Sequence, residues 1–431
     1  MRRIAFLRSV EIERAVPHIG LIAPDLEAAG AVAGLFHTDG ECAEGEFPGE
    51  ARRIPADASP GWIADTIEAW GADGYVSLSL PDENALRDAV VGEILADRGI
   101  PGVTHSVRAT ALLANKHETK VAVSAAGLTT PPGLLMDGDL LAGRNLPVPA
   151  YRDALRRRAA ALGFPLLTKP LWDNLSSGIR FLRDAEALDA YLKEPYDGNA
   201  VLETCLTGEL CSVEIVGRDG EYLVQPLVWK GRTGGEPSFL FGQLRHCAPR
   251  PTRERLFGPV AKRLVTLCRE LDLNGVVEVE MIHADGAFHV IEINPRISGS
   301  TAMSIAASEC NTYACLLHML LGDWSAYRAG LRTRRRRWSL EFPVGHVTPE
   351  FERAARAELD VVRVSNLVID GRDHGGNMVL ACAYGEEERL LRGLERLESR
   401  FGTIGRGVVE EVEDVVSRHC RTPAETAPAT P

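Results

Sequence analysis

Short apolar runs punctuate the first hundred residues at 3–8 (RIAFLR), 32–36 (VAGLF) and 74–80 (GYVSLSL). Between them, apolar positions recur at helical spacing, as over Pro60 to Trp70 and Glu83 to Asp97. Strands alternating with helices predict a parallel α/β unit, which ends near Thr110. No GxGxxG follows the first run, so the dinucleotide fingerprint is absent.

The pattern then changes. Residues 111–200 predict a helix containing NKHETKVAVSAAG, a loop at TTPPG, a strand at FPLLTKP, a loop at LWDNLSSG and a helix near Asp184 to Lys193. Residues 201–322 are strand-rich, with runs at AVLETCL, CSVEIVG, EYLVQPLVW, GVVEVEMI and AFHVIEI. A further α/β segment spans 338–415 and includes the helix EEERLLRGLERLESRFG. The expected division is 1–110, 111–200, 201–325, 326–418 and a disordered tail, 419–431, rich in Pro, Ala and Thr. No internal repeat is evident. The Arg334 to Arg337 run reads as a solvated basic face.

Composition narrows the class. A chain of 431 residues exceeds one small core and predicts two to four domains or subdomains. The net charge of −12 argues against broad nucleic-acid binding, which needs a basic face. It does not exclude ATP, because Mg²⁺ can bridge carboxylates to phosphates. Glu11 and Glu13 interrupt the N-terminal stretch, which reads as a first strand rather than a signal peptide. No apolar run approaches a bilayer's thickness. The nine cysteines are scattered without a CxxC pair, as in reduced cytosolic proteins. A cytoplasmic protein without membrane or nucleic-acid partners is expected, and homodimerisation by base rate.

The densest chemistry lies at 275–301, GVVEVEMIHADGAFHVIEINPRISGST. Two strand-like runs flank Asp285-Gly286, a hairpin turn signal. A three-residue loop at 285–287 would pair Glu280 with Glu292 on one face, with Cα atoms about 4.5–5.5 Å apart. A two-residue loop would put them on opposite faces, and the residues alone do not choose. Two carboxylates on one face repel unless a cation lies between them, and Mg²⁺ suits one or two carboxylates plus phosphate oxygens. Asn294 would add an oxygen from the same side. Arg296 places a planar guanidinium just beyond. Pro295 and Gly299 stop the strand there. An acidic solvent-facing hairpin is the bland alternative.

This stretch resembles the metal-binding signature of the ATP-grasp superfamily, which includes biotin carboxylases, D-alanine–D-alanine ligases and L-amino-acid ligases. The resemblance covers roughly residues 1–325 in order, and 338–415 less clearly. It implies an ATP-grasp fold, α/β with an α+β ATP-binding part behind a Rossmann-like N-terminal domain. It also implies that Glu280, Glu292 and Asn294 hold Mg²⁺ (or Mn²⁺) on ATP, with Arg296 at the transferring group. The run ANKHETKVAVSAAGLTTPPG resembles the family's first lysine segment, giving Lys116 as a phosphate ligand, with Lys120 the example of a helix-surface lysine. FPLLTKP resembles the strand of the second lysine, Lys169. Ser176, Ser177 and Gly178 match a mobile loop that cradles phosphates, near Trp172. AVLETCLTGEL resembles the adenine linker, so Glu203, Thr204, Cys205 and Leu206 would offer backbone groups to the purine. Ile282 and Ile291 would pack on its faces, although a core role explains those two equally well. The family's ribose-binding Glu falls on Leu210 when counted without a gap, leaving Glu209, one place earlier, as the candidate. Lys230, Arg232, Arg245 and His246 lie where basic phosphate or substrate contacts are common.

The implied reaction joins a small carboxylic acid to an amine, both amino-acid-like, through an acyl phosphate, with release of ADP and phosphate. The absence of an obvious Ser-His-Asp or Cys-His set agrees with catalysis by positioning and electrostatics. Other readings are a carboxylase-like carboxylate activation, a kinase acting on a stable acceptor, and a non-catalytic ATP-binding regulator.

Overall fold

The structure, a computed structural model, describes residues 1–144, 147–173, 178–195, 198–235, 243–331, 337–369 and 372–420. Ser176, Ser177, Arg334 to Arg336 and the tail from 421 lie outside the described residues.

The N-terminal part is a parallel five-stranded sheet in the order Gly49–Arg53, Ala31–His37, Arg2–Arg8, Gly74–Ser77, Gly102–Val103. The strand Arg2–Arg8 is apolar over its central residues, Ile4 to Leu7, because both faces are covered there. Ile4 and Phe6 pack with Leu35, Val76 and Tyr313 on one side. Ala5 and Leu7 pack with Phe36, Ile63, Ile67 and Trp70 on the other. The edge strand Gly49–Arg53 is wholly exposed. It has no apolar pattern and exists through backbone pairing with Ala31–His37, so periodicity could not reveal it.

Next comes an antiparallel four-stranded sheet in the order Gly133–Met136, Ala200–Thr204, Leu166–Pro170, Arg180–Leu182. The expected single helix around NKHETK is two, Val107–Ala114 and Lys116–Ala125. Asn115 separates them in an extended conformation (φ −85°, ψ 112°), and its side chain accepts from the amides of His117 and Glu118. An Asn cap competes with helix continuation at that point. It makes Lys116 the first residue of a new helix.

The third sheet has nine strands among the described residues. Its main path runs Ala287–Asn294, Gly275–Ala284, Glu209–Arg218, Val228–Arg232, Arg245–His246, Arg337–Val344, Arg372–Ala383, Asp360–Ile369. The expected run EYLVQPLVW is two strands, Glu221–Val224 and Val228–Arg232, both pairing with Glu209–Arg218. The strands at 337–383 continue the sheet of the carboxylate hairpin through the pairing of Arg245 with Glu341. One face carries the helix Pro251–Glu270, with Phe257, Leu264 and Leu267 in a core with Trp229, Val279 and Met281. On the opposite face, Met303 and Ala307 of the helix Thr301–Ser308 pack with Val228 and Val379. No helix among the described residues is long and apolar enough to cross a membrane. The described cysteines are all free thiols.

Candidate active site

The hairpin decides its register in a way the residue pattern did not offer. The turn is two residues long, with Ala284 opposite Ala287. Asp285 and Gly286 both have positive φ (49° and 78°), as a type I′ turn requires. A regular ladder from that turn would set Glu280 opposite Ile291 and send Glu292 into the core. Instead Met281 pairs with Val290 and Glu280 with Glu292, so Ile291 is an extra, bulged residue. The bulge does the work expected of a longer loop, and both carboxylates share a face. Glu278, which pairs with Asn294, lies on that face too.

Three carboxylates in one place, Glu278 buried and Glu280 and Glu292 half-buried, need cations. Lys230 Nζ donates to Glu278 at 2.8 Å and to Glu280 at 2.5 Å. Burial works to raise the Glu278 carboxyl, but the Lys230 ammonium outweighs it and holds the group down to about 2. Glu280 is raised, because burial and the charges of Glu278 and Glu292 together exceed the help from Lys230. The Asn294 amide donates to Glu292 at 3.4 Å. Arg296 forms an ion pair with Asp82 of the N-terminal part at 2.7 Å. Burial opposes the charge on Arg296, but Asp82, Glu278, Glu292 and Glu280 overcome that and raise its pKa.

Across from this hairpin stand the lysines. Lys116 Nζ donates to the carbonyl of Asp173 at 3.2 Å and lies 3.8 Å from Glu292. Lys169, 8% exposed, meets Glu203 at 2.6 Å. Its burial disfavours the ammonium, but Glu203, with Glu292 and Glu280 beyond it, shifts the pKa upward. Lys120 is not a surface lysine. It donates to Glu203 at 2.7 Å, to the Pro131 carbonyl at 2.7 Å and to Thr130 at 3.0 Å.

Leu206, Leu210, Ile282, Ala284 and Ile291 form a small apolar cluster of their own, apart from the main cores. Gly208 lies against the hairpin there; a Cβ on it would meet the His283 carbonyl at 2.5 Å. Of the linker's backbone donors, the amide of Thr204 is bonded to Pro132 and that of Cys205 to Pro165. The Glu203 side chain serves the two lysines. Gly178 donates its amide to Asp173 at 3.3 Å. Trp172 is 41% exposed.

Glu209 does not share the face of Leu210 and Ile282. It pairs with His283, one step from Leu210 and Ile282, so it points to the opposite face of the sheet. There it binds Arg250 at 2.8 Å and also Arg253, and Arg250 stacks on Trp229. Arg245 is buried and paired with Glu341 at 3.2 Å. His246 is buried beside Arg250, and Arg232 is exposed.

Three participants escaped the sequence reading. Glu278 was visible as the residue two before Glu280 on a period-2 strand. Lys120 gave no signal beyond lying one helical turn after Lys116. Asp82 reaches Arg296 only through the docking of the N-terminal sheet.

Residues 113–300 match the model of the ATP-grasp domain. A D-alanine–D-alanine ligase of Trichlorobacter lovleyi is 25% identical over 251 residues, 57% of this chain and 75% of that protein. Among solved structures, an L-amino acid ligase from Bacillus licheniformis superposes with a TM-score of 0.66 at 19% identity, covering 92% of this chain and 97% of that one. The biotin carboxylase domain of Hydrogenobacter thermophilus 2-oxoglutarate carboxylase, solved with MgADP and bicarbonate, superposes at 0.63 with 14% identity over 91% and 89% of the two chains. The fold is the ATP-grasp fold: a parallel N-terminal sheet followed by the antiparallel sheets that carry lysines and carboxylates. Residues 113–300 are an ATP-grasp domain, and the relatives and solved structures that the chain resembles include enzymes named as ligases.

The donor set suits a magnesium nucleotide. Among the described residues no three His, Cys, Asp or Glu side chains form a self-sufficient metal site. Two carboxylates and an amide suit an ion that takes its remaining ligands from phosphate and water.

Proposed function

We propose that the chain is a Mg-ATP-dependent ligase that joins a small amino-acid-type carboxylic acid to an amine through an acyl phosphate. The observation that carries this reading is the convergence of Glu280, Glu292 and Asn294 on one face, with Lys116 and Arg296 beside them and Lys169 across the cleft. An oxygen of the acid attacks the γ-phosphorus of ATP, the bond to the β-phosphate oxygen breaks, and ADP departs. The amine nitrogen then attacks the acyl carbon, loses a proton, and expels phosphate. Magnesium, held by Glu280, Glu292 and Asn294, would screen the phosphate charge. Lys116 and Lys169 orient the phosphates. Arg296, fixed by Asp82, faces the oxygens that gain negative charge. The cluster of Leu206, Leu210, Ile282 and Ile291 receives the purine.

The test is to incubate purified protein with Mg-ATP and pools of amino acids and other small acids and amines. ADP, free phosphate and products are measured together, the last by mass spectrometry. The reading requires ADP and phosphate in equal amounts with a new amide. Release of ADP without phosphate would indicate a kinase, and release that depends on bicarbonate would indicate a carboxylase. No ADP with any pool would sink enzymatic ligation.

A further inference from the structure

The two lysines around Glu203 are not equivalent. Lys120 has three N–H donors and three acceptors, Glu203, Pro131 and Thr130, all within 3.0 Å. Its ammonium is fully used and fixed. Among the described residues Lys169 makes one short contact, to Glu203, and it lies within the field of Glu280 and Glu292. Glu203 itself is 2% exposed. A buried carboxylate facing one lysine would hold that lysine tightly, because neither charge has water to turn to. Facing two, it is over-neutralised, and the set carries one spare positive charge.

We infer that Lys120 is a positioning residue of the phosphate site: it occupies one oxygen of Glu203 and so frees Lys169 to turn to a nucleotide's phosphates. This rests on the reading of the cleft as an ATP site. A purely structural role would be to tie the helix Lys116–Ala125 to the 129–133 loop. The two roles separate by charge count. The set Lys120, Glu203, Lys169 sums to +1. Lys120→Met brings it to zero, and Lys120→Met combined with Glu203→Gln restores +1 while leaving the tie broken.

The experiment measures the affinity of the full chain and its variants for Mg-ATP and for adenosine, with melting temperature alongside. Adenosine reports the purine site without phosphates. In Lys120→Met the ratio of ATP to adenosine affinity should fall about tenfold, the size of one charge-assisted contact. Its adenosine affinity should hold. In the double variant the ratio should return to within about threefold of wild type, and Lys120→Arg should lie nearer wild type than Lys120→Met. Equal loss of ATP and adenosine in Lys120→Met, or no recovery in the double variant, would overturn the inference. If Lys120→Met does not fold, the double variant alone decides, since it must keep the wild-type ratio. Failure of the wild type to bind either ligand would instead overturn the ATP-site reading, and this inference with it.

Discussion

The candidate site brings together two charge clusters built in opposite proportions. On the nine-stranded sheet one lysine, Lys230, sits between two carboxylates, Glu278 and Glu280, with Glu292 beside them. On the four-stranded sheet one carboxylate, Glu203, sits between two lysines, Lys120 and Lys169. Each partly neutralises itself, which burial demands, and each keeps a surplus of one sign. The negative cluster invites a cation and the positive one a phosphate. A magnesium nucleotide carries both a cation and phosphates. Self-neutralisation lets each half remain buried and ordered while keeping that appetite.

Removing the surplus should break the contrast most severely. Chelating Mg²⁺, or Glu280→Gln with Glu292→Gln, should lower turnover about 10³-fold or more, because no protein cation replaces the metal at the phosphates. ADP release with and without EDTA measures this. Lys169→Met should cost about 10²-fold in kcat/KM for ATP, checked by steady-state kinetics. A smaller effect in Lys169→Met than in Lys116→Met would argue that the positive cluster is structural.

Glu214 sharpens the picture of the negative side. It is buried next to Glu278, accepts from Thr301 and Thr312, and is pushed up to about 7, chiefly by burial. Between about 4.5 and 7 the unfolded chain has lost this proton while the folded protein keeps it, so the group's contribution to stability falls as pH rises through that window. Glu214→Gln should therefore gain stability relative to wild type as pH rises from 5 to 7.5, by at most about 3 kcal/mol. Urea melts at several pH values measure it, and a pH-independent difference would refute the assignment.

The smallest expected effect is at Glu209. Glu209→Ala should leave KM for ATP within about twofold, since the side chain points away from the cleft, and should cost about 1 kcal/mol or less in stability. A tenfold rise in KM would put Glu209 back at the ribose.

Much of this molecule is written along the chain. Alternation of apolar runs and helical spacing predicts the N-terminal parallel unit, because local pattern and burial agree there. The EINPR run, FPLLTKP and the NK segment mark the principal charged positions by residue type and order. The fold class follows from the resemblance those motifs carry. The hairpin register does not, since a two-residue turn and a bulge act together, and only pairing along the whole ladder places the extra residue at Ile291. The partners of Lys120 lie on the 129–133 loop and on Glu203, more than eighty residues away. Asp82 meets Arg296 across more than two hundred residues. The face that Glu209 points to depends on a strand alternation in which one position reverses the answer. Sequence fixes which charges exist and near which turns. Which of them face one another is set by non-local packing, because a side chain's partner is chosen by the sheet it joins and not by its neighbours in the chain.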